Sequence, residues 1–331
     1  MSFVFPLQAA RSAVCLAPLA GITDRPFRDL VGRFGADLVV SEMVASQEMV
    51  QAKPGVRERA ELGADQARTS VQLAGRDTGW IAEAARMIEG QGARVIDINM
   101  GCPAKKVVGG LSGSALMREP DHALRLVEAV VGAVSVPVTL KMRLGWDDHS
   151  RNAPDLARRA EDAGIALVTV HGRTRCQFYK GRADWAAIAA VKRAVTIPVI
   201  ANGDITGPAT AREALRLSGA DGVMIGRGAQ GRPWLLAQVL ADLAGTAPPV
   251  VPQGAALTAM VRRHHGEMLE FYGADLGLRV ARKHLGWYMD GAATAPELRG
   301  RILRATDAGE IARMLPEALE TPPRQIEEAA A

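Results

Sequence analysis

Short apolar runs alternate with longer segments rich in Ala, Leu and Arg along the first 244 residues of the chain. Each run is almost continuously apolar, which is typical of a parallel strand covered on both faces. We therefore interpret eight runs as strands. They are AVCLAP (13–18), ADLVVSEM (36–43), TSVQLAG (69–75), RVIDINMG (94–101), VPVTLKMR (136–143), LVTVHG (167–172), IPVIANG (197–203) and DGVMIG (221–226).

The segments between these runs carry the start and stop signals of helices. Pro120 and Asp121 suit the first turn of a helix. Gly164 and Gly219 stand where the residue after a helix is expected, and glycine is favoured there. Helices are predicted over 77–90, 120–134, 153–163 and 206–218.

Strand–helix alternation through eight units predicts an α/β protein with a (β/α)8 TIM barrel, and about 245 residues is the usual size of one. A doubly wound open sheet is the alternative. The alternation of strand-like and helical segments stops at the Pro- and Gly-rich stretch GTAPPVVPQG, after which no strand-like run occurs. We predict a catalytic barrel over 1–244, a linker over 245–254 and a C-terminal all-helical domain over 255–331, which ends in an acidic tail at Glu327 and Glu328.

Composition favours a cytoplasmic protein without a membrane partner. The 331 residues are 48% hydrophobic and 23% charged, and no apolar run approaches the roughly 20 residues that span a bilayer. The first residues, MSFVFPLQAARSAV, lack the pattern of a secretory signal. A net charge of +4 permits an anionic partner without requiring one. We expect a monomer.

The three cysteines form neither a disulfide framework nor a C-x-x-C pair, so no metal site is predicted. Cys15 lies inside an apolar strand and is interpreted as an inert buried thiol. Cys102 follows the fourth strand in a Gly-Cys-Pro turn, and a thiol that is protonated at pH 7 can donate a proton. Cys176 lies between Arg175 and Gln177, where positive charge would make it a poorer acid.

Polar side chains follow nearly every predicted strand at its C-terminal end, where the loops of a barrel enzyme converge. An unpaired buried polar group costs about 1–3 kcal/mol, so a ring of them is expected to face a polar ligand. The strand ends carry Pro18, Glu42, Gln72, Asn99, Lys141, Arg143, His171, Arg173, Asn202, Gly203, Asp204, Gly226 and Arg227.

The segment GRGAQG (226–231) matches G-x-G-x-x-G but follows the last strand, whereas a Rossmann site needs it after the first. We interpret it, together with Gly203, as the phosphate site of a barrel, to which Arg227 adds charge. A tight turn without a ligand is the alternative. A phosphate site near Lys141 and Gln72 suits FMN, since a lysine can neutralise the flavin edge that becomes anionic and an amide can pair with its donors and acceptors.

Two of these residues keep a structural alternative. Lys141 could form a salt bridge at the barrel mouth, and His171 could be a satisfied structural histidine.

The motifs resemble the tRNA-dihydrouridine synthase family, and more closely its bacterial B-type branch. The matching stretches are LAPLAGITDRPFR (16–28), INMGCPAKKVVGGLSGSALM (98–117), LKMRLGWDD (140–148), VHGRTR (170–175), IANGDI (200–205) and GVMIGRGAQGRPWL (222–235). The resemblance implies reduction of uridine to 5,6-dihydrouridine in the D-loop of tRNA. It also implies FMN as the hydride carrier and NADPH, or NADH, as the electron donor.

The resemblance assigns roles to residues of this chain. Cys102 is the expected proton donor. The expected cofactor-binding residues are Pro18, Gln72, Lys141, His171, Asn202, Gly203, Asp204, Gly226 and Arg227. The expected substrate-binding residues are Asn99, which would orient the flavin or the uracil, Arg143, Arg173 and Arg175.

A tRNA partner requires positive charge, and several basic residues lie outside the predicted strands. Arg279, Arg282 and Lys283 are spaced to share one helix face, although a solvated helix face is the alternative. Other candidates are Lys105, Lys106, Arg173 and Arg175 at the barrel mouth and Arg262 and Arg263 in the helical domain.

Two other functions remain open at this point. One is a flavin-dependent oxidoreductase of a free pyrimidine, similar to those that act on dihydroorotate. Such an enzyme would not need a basic helical domain. The other is a non-catalytic tRNA-binding protein, which the set of Cys102, Lys141 and His171 argues against.

Overall fold

The computed structural model describes residues 12–56 and 58–320 of the chain. Within these ranges, nine parallel strands form one sheet. They are β1 (Ala13–Leu16), β2 (Leu38–Val40), β3 (Val44–Ala45), β4 (Thr69–Ala74), β5 (Val95–Met100), β6 (Val138–Arg143), β7 (Leu167–His171), β8 (Val199–Asn202) and β9 (Gly222–Ile225).

Eight of the strands close into a barrel. Strand β1 pairs with both β2 and β9, strand β2 pairs with β4, and β4 to β9 pair in succession, while the two-residue β3 lies along β4. An open doubly wound sheet has two edges, and the β1–β9 pairing leaves none. The predicted (β/α)8 TIM barrel is therefore confirmed.

Helices lie between the strands and after the last strand, and they cover the barrel. They are α1 (Arg25–Phe34), α2 (Ser46–Val50), α3 (Thr78–Gly90), α4 (Lys105–Gly109), α5 (Pro120–Val131), α6 (Ala153–Asp162), α7 (Trp185–Ala194), α8 (Pro208–Ser218) and α9 (Leu235–Ala244). Short 3-10 turns lie at Glu58–Ala60, Gln66–Arg68, Gly113–Arg118 and Arg227–Ala229.

The four helices expected from the sequence are present, with shifts at their ends. The carboxylate of Asp77 accepts a hydrogen bond from the backbone N–H of Trp80 and so caps α3 from the position before its first residue. Helix α5 ends at Val131, three residues before the predicted end, and α8 begins at Pro208, two residues after the predicted start. Gly219 adopts the left-handed conformation (φ 63°) just after α8, as expected for a helix-terminating glycine.

The barrel interior is divided into an apolar half and a polar half. Side chains alternate between the two faces of a strand, so every second residue points inward. The outward residues, such as Leu140 and Val168, are buried in a core that also contains residues of the surrounding helices. The apolar inner half contains Ala13, Cys15, Ala17, Leu38, Val40, Leu167, Ile200 and Met224. The polar inward residues of β4 to β8 are Ser70, Gln72, Asp97, Asn99, Thr139, Lys141, Arg143, Thr169, His171 and Asn202.

Contacts divide the chain into two compact units. The first contains Met1–Ala229 and Trp234–Pro248, and the second contains Gln230–Pro233 and Pro249–Ala331. The second unit contains four helices within the described residues, and they pack around a core that includes Leu285 and Leu315. These helices are α10 (Gly254–Tyr272), α11 (Ala274–Gly291), α12 (Pro296–Arg304) and α13 (Ala308–Glu320).

Residues 245–253 form no helix or strand, in the stretch predicted as a linker. The first eleven residues and the acidic positions Glu327 and Glu328 lie outside the described residues. Among the helices that the structure describes, none combines the length and apolar character needed to cross a membrane.

Closure of the barrel requires a glycine at position 222, which yields the first testable prediction. A Cβ atom there would lie 2.6 Å from the carbonyl oxygen and 2.9 Å from the Cβ of Ala13, on the strand that closes the barrel. Gly222→Ala is therefore expected to lower the free energy of unfolding by about 1–3 kcal/mol, because the backbone of the seam must shift. Urea unfolding followed by circular dichroism measures the loss.

Gly32→Ala is the matched control, since a Cβ at this position of α1 would meet open space. This change is expected to leave the stability unchanged or to raise it by up to about 1 kcal/mol, because alanine favours a helix over glycine. An equal loss in both variants would contradict the assignment of the strain to the seam.

Candidate active site

The turn after β5 fixes Cys102 through its backbone. Oδ1 of Asn99 accepts hydrogen bonds from the N–H groups of Gly101 (3.1 Å) and Cys102 (2.9 Å). Nε of Arg143 donates to the carbonyl oxygen of Gly101 (2.8 Å), and the N–H and Oγ of Ser114 donate to that of Cys102 (3.1 and 2.9 Å). Each N–H and C=O of Gly101 and Cys102 thus has a partner, so the backbone that carries the half-buried thiol is fixed.

Gly113 lets the chain approach this turn closely. Its backbone has φ 59°, and a Cβ atom would lie 2.8 Å from the carbonyl oxygen of Cys102 and 2.9 Å from Cγ1 of Val107. A side chain at position 113 would therefore push the Cys102 turn out of place. The next residue, Ser114, lies twelve positions beyond Cys102, and sequence spacing alone does not reveal their contact.

The other two thiols lie in different surroundings. Cys15 is buried in the apolar half of the barrel, where burial raises the pKa of its thiol far above the ordinary value and the negative charges of Asp37 and Asp97 add to the effect. Cys176 is exposed, and its backbone N–H donates to the carbonyl oxygen of Trp146 (2.8 Å). Cys102 is thus the thiol that lies at a strand end among the polar inner residues.

A buried chain of hydrogen bonds lies beneath the Cys102 turn. Nε2 of Gln72 donates to Oδ2 of Asp97 (2.6 Å), and Oε1 of Gln72 accepts from Nδ2 of Asn99 (2.7 Å). Oγ1 of Thr139 donates to Oδ1 of Asp97 (2.6 Å). Burial raises the pKa of Asp97, although the hydrogen bonds from Thr139 and Gln72 and the charge of Lys141 oppose the shift. Gln72 has no exposed surface and supports Asn99, and its contact with a flavin stays a prediction.

Lys141 projects from β6 and donates from Nζ to Oδ1 of Asn202 (3.1 Å). Nδ2 of Asn202 in turn donates to the carbonyl oxygen of Met224 (2.8 Å), which fixes its orientation. Burial lowers the pKa of Lys141 to about 8, and the positive charge of Arg143 acts in the same direction. The salt bridge considered as an alternative for Lys141 is absent among the ion pairs of the described residues.

His171 offers a ring nitrogen that no other described residue satisfies. Its Nδ1 is buried without a hydrogen-bond partner. Burial holds the pKa of His171 well below its ordinary value, and the charges of Lys141, Arg143 and other nearby cations add to this effect, so the ring is neutral. A buried polar atom without a partner is rare in proteins, and a ligand would supply one.

Gly203 lies beside this histidine. A Cβ atom at position 203 would lie 2.9 Å from the Cβ of Ala183 and 3.3 Å from the ring of His171, and φ is 112°. The position therefore requires glycine. Gly226, after β9, is different, because a Cβ there would meet Ala17 at an ordinary 3.6 Å. Pro18 lies two residues after β1 and is half-buried.

Arg173 and Asp204 form an ion pair with each other. Nη1 and Nη2 of Arg173 donate to the two carboxylate oxygens of Asp204 (2.9 and 2.6 Å), while Nε and Nη2 also donate to the carbonyl oxygens of Lys180 and Gly181. Burial would raise the pKa of Asp204, but the bonds from Arg173 and from the N–H of Ala183 lower it below the ordinary value. Arg173 is only 2% exposed, and its guanidinium forms these hydrogen bonds within the protein.

Arg143 is also buried, and its guanidinium joins two loops. Besides Gly101, it donates from Nη1 to the carbonyl oxygens of Thr174 and Phe178 (both 2.9 Å). Burial lowers its pKa to about 10. Arg227, by contrast, is exposed and lies 3.5 Å from Asp204, so it is the predicted phosphate contact with a side chain open to a ligand.

Two further arginines at the rim pack against an aromatic ring. Arg118 and Arg175 lie over the ring of Trp146, at 4.3 and 4.7 Å from its centroid. Phe178 and Tyr179 are exposed by 41% and 49% and pack edge to face. Sequence reasoning missed these rings, although two adjacent aromatic residues within the basic stretch RTRCQFYKGR were a usable signal.

Sequence reasoning also missed Asp97, Thr139, Gly113 and Ser114. Asp97 is the acidic residue of the otherwise uncharged strand VIDINM, which was a signal that a buried partner exists. All of the predicted site residues nevertheless lie within the barrel strands or in the loops that follow their C-terminal ends.

A closed parallel barrel with a fixed thiol and polar residues at the C-terminal ends of its strands defines an enzyme of the TIM-barrel class. Residues 15–322 match the family model described as Dihydrouridine synthase. The chain belongs to the dihydrouridine synthase family, which confirms the resemblance found in the sequence.

Relatives of known name agree with this assignment. The chain is 64% identical over 296 residues to the "Probable tRNA-dihydrouridine synthase" of Rhodobacter capsulatus, covering 89% of this chain and 90% of the relative. It is 54% identical to the protein of the same name from Rhizobium leguminosarum bv. phaseoli, covering 94% and 96%. It is 49% identical to "tRNA-dihydrouridine synthase B" of Xanthomonas campestris pv. campestris, covering 88% of each.

A solved structure shares the fold. Histamine dehydrogenase from Rhizobium sp. 4-9 superposes with a TM-score of 0.54 at 12% identity, over 77% of this chain and 48% of that chain. At this identity the likeness supports the barrel fold alone.

The shifted pKa of Lys141 yields a prediction about stability. In the unfolded chain the ordinary pKa is 10.5, and in the folded protein it is about 8. Between these values the unfolded chain binds a proton that the folded protein does not, so the free energy of unfolding rises with pH. Relative to Lys141→Met, the wild-type protein is expected to gain about 3 kcal/mol across this window. Urea unfolding of flavin-free protein at a series of pH values tests this, and a difference that does not vary with pH would contradict it.

Proposed function

We propose that the chain reduces uridine in the D-loop of tRNA to 5,6-dihydrouridine, with FMN as hydride carrier, NADPH as electron donor and Cys102 as proton donor. The observation that carries the proposal is the fully hydrogen-bonded turn that holds the Cys102 thiol at the polar end of the barrel. Membership of the dihydrouridine synthase family supports the same reaction.

The residues present fit a flavin mononucleotide. The unpartnered Nδ1 of His171 and the Nζ of Lys141 would contact the ring, which offers hydrogen-bond donors and acceptors along one edge. Arg227 and the backbone at Gly203 and Gly226 would hold the phosphate, since Gly203 leaves no Cβ in the way and Arg227 is exposed. When bound, the flavin supplies the hydride.

The chain's own contribution to the chemistry is the proton. Reduction of the C5=C6 bond of uracil adds a hydride at C6 and leaves an enolate conjugated with the C4 carbonyl, which must take a proton at C5. The Cys102 thiol gives up this proton and becomes a thiolate, which solvent protonates again. Asn99 and Arg143 keep the thiol in place through the backbone of Gly101 and Cys102.

The rim of the barrel suits a base that leaves the RNA stack. An enzyme that acts on a base within RNA must first take the base out of the stack. The exposed rings of Phe178 and Tyr179 offer surfaces on which RNA bases can stack, and Arg175, which lies over Trp146, offers charge to the phosphates. Arg143 and Arg173 are buried, so we propose that they act by positioning these loops rather than by touching the RNA.

The helical unit offers one basic face that its own contacts leave open. Arg262 donates to the carbonyl oxygen of Ala312 (2.6 and 3.1 Å), and Arg263 pairs with Glu267 (2.9 Å). Arg279 and Lys283 are exposed on α11 and lie four residues apart, which places them on one face. We propose that this face of α11 binds the phosphates of tRNA.

The proton-donor role of Cys102 is tested by separating the two half-reactions. Cys102→Ala is expected to accept electrons from NADPH normally but to pass them to tRNA about 100- to 10,000-fold more slowly, because the general acid is missing. Stopped-flow measurement of flavin absorbance during reduction by NADPH and during reoxidation by tRNA gives both rates.

Cys176→Ala is the matched control, since Cys176 is exposed and lies outside the hydrogen-bonded turn. Reoxidation of this variant is expected at the wild-type rate. If the two variants exchange these behaviours, Cys176 and not Cys102 is the proton donor.

The RNA contact of α11 is tested by salt dependence. Arg279→Ala/Lys283→Ala is expected to weaken tRNA binding and to reduce the slope of log affinity against log salt by about 2, because two phosphate contacts are lost. Arg158→Ala/Arg216→Ala changes the net charge equally at exposed positions on α6 and α8 and serves as the control. An equal change of slope in both double variants would argue for a general charge effect.

A further inference from the structure

Four polar side chains beneath the Cys102 turn form a hydrogen-bonded chain away from solvent. Strand register places Gln72, Asp97 and Thr139 side by side on β4, β5 and β6, and Asn99 lies one inward position nearer the C-terminal end of β5. All four are buried. The chain runs from Thr139 through Asp97 and Gln72 to Asn99, and from there to the backbone of the turn.

The groups at the two ends of this hydrogen-bonded series determine which side-chain group donates and which accepts in every bond. The peptide N–H groups of Gly101 and Cys102 can only donate, so Asn99 must turn its oxygen toward them. Its amide N–H2 then faces Gln72, which must accept with Oε1 and therefore turns its own N–H2 toward Asp97. Only a group that accepts at this position completes the chain, and a carboxylate accepts at both oxygens.

This arrangement explains why a carboxylate is buried in the barrel interior. Burying a charge is costly, and well-packed apolar residues are often as stable as buried ionic groups. An amide side chain on its own can rotate by 180° and exchange its oxygen and nitrogen. With Asp97 as an acceptor at one end, neither Gln72 nor Asn99 can rotate without losing hydrogen bonds.

We infer that Asp97 and Gln72 are positioning residues for Cys102, because their directed hydrogen bonds hold Asn99 in the one orientation that fixes the Cys102 turn. The consequence for turnover rests on the proposed function. The consequence for the geometry of the thiol does not.

Three substitutions separate the effect of hydrogen-bond direction from the effect of side-chain size. Asp97→Leu keeps the number and branching of the side-chain heavy atoms but removes the acceptor. The buried N–H2 of Gln72 then has no partner, and Gln72 can rotate away from Asn99 and stop supporting it. Asp97→Asn keeps the direction, since its oxygen can accept from Gln72 while its N–H2 donates to Oγ1 of Thr139. Gln72→Met breaks the chain at its middle and provides a second test if Asp97→Leu does not fold.

The first measurement is the rate at which iodoacetamide alkylates Cys102 in the protein as purified, across a range of pH. A Cys176→Ser background removes the exposed thiol, and Cys15 is buried. Asp97→Leu and Gln72→Met are expected to alkylate severalfold faster, because the released turn exposes the thiol, whereas Asp97→Asn is expected to recover most of the difference.

The second measurement is the rate of flavin reoxidation by tRNA. Asp97→Leu and Gln72→Met are expected to lose about 100-fold, as misplacement of a reacting group by about 1 Å can cost that much, with most of the loss recovered in Asp97→Asn. If the wild-type protein does not act on tRNA, the proposed function fails while the alkylation result still decides the inference. Wild-type alkylation rates in folded Asp97→Leu and Gln72→Met, or equal effects of Leu and Asn at position 97, would overturn it.

Discussion

Closure of the barrel is the constraint on which the rest of the structure depends. Eight parallel strands leave one confined interior, and every second side chain must enter it. The strands on one side, β1, β2 and β9, fill their share with small and apolar residues such as Ala13 and Leu38. Those on the other side fill theirs with polar groups, which must find partners because water is excluded. The hydrogen bonds around Gln72, Asp97 and Lys141 are the result.

The sequence was sufficient for the barrel because its signals are local. Apolar runs covered on both faces, and glycines such as Gly219 at helix ends, depend on near neighbours in the chain. The strand ends were also predictable, since the fold itself gathers them. The partners of the polar residues were not, because Arg173 meets Asp204 across 31 residues and Gln72 meets Asp97 across 25. Such pairs depend on strand register, which no local pattern encodes.

The arginines show how strongly the role of a residue depends on contacts with residues that are distant in the sequence. Sequence motifs grouped Arg143, Arg173 and Arg175 as one substrate-binding set. In the fold, Arg143 and Arg173 are buried and donate to backbone carbonyls and a carboxylate, while Arg175 stacks on Trp146. A guanidinium has five N–H donors, so a single buried arginine can hold several loop carbonyls at once. Arginine therefore has two roles here: buried arginines hold the loops together, and the others give the loops a positively charged surface.

The cations around His171 have a further consequence for how the protein keeps its ligand. Lys141, Arg143, Arg173 and Arg227 all lower the pKa of this histidine. Asp97 interacts with Lys141, and Asp204 interacts with Arg173 and Arg227, so two carboxylates face four cations. Uncompensated positive charge destabilises a folded chain, and an anion that binds only the folded form stabilises it by mass action. An anionic ligand at this end of the barrel would thus act as part of the architecture, and its retention and the folding of the barrel would be thermodynamically linked.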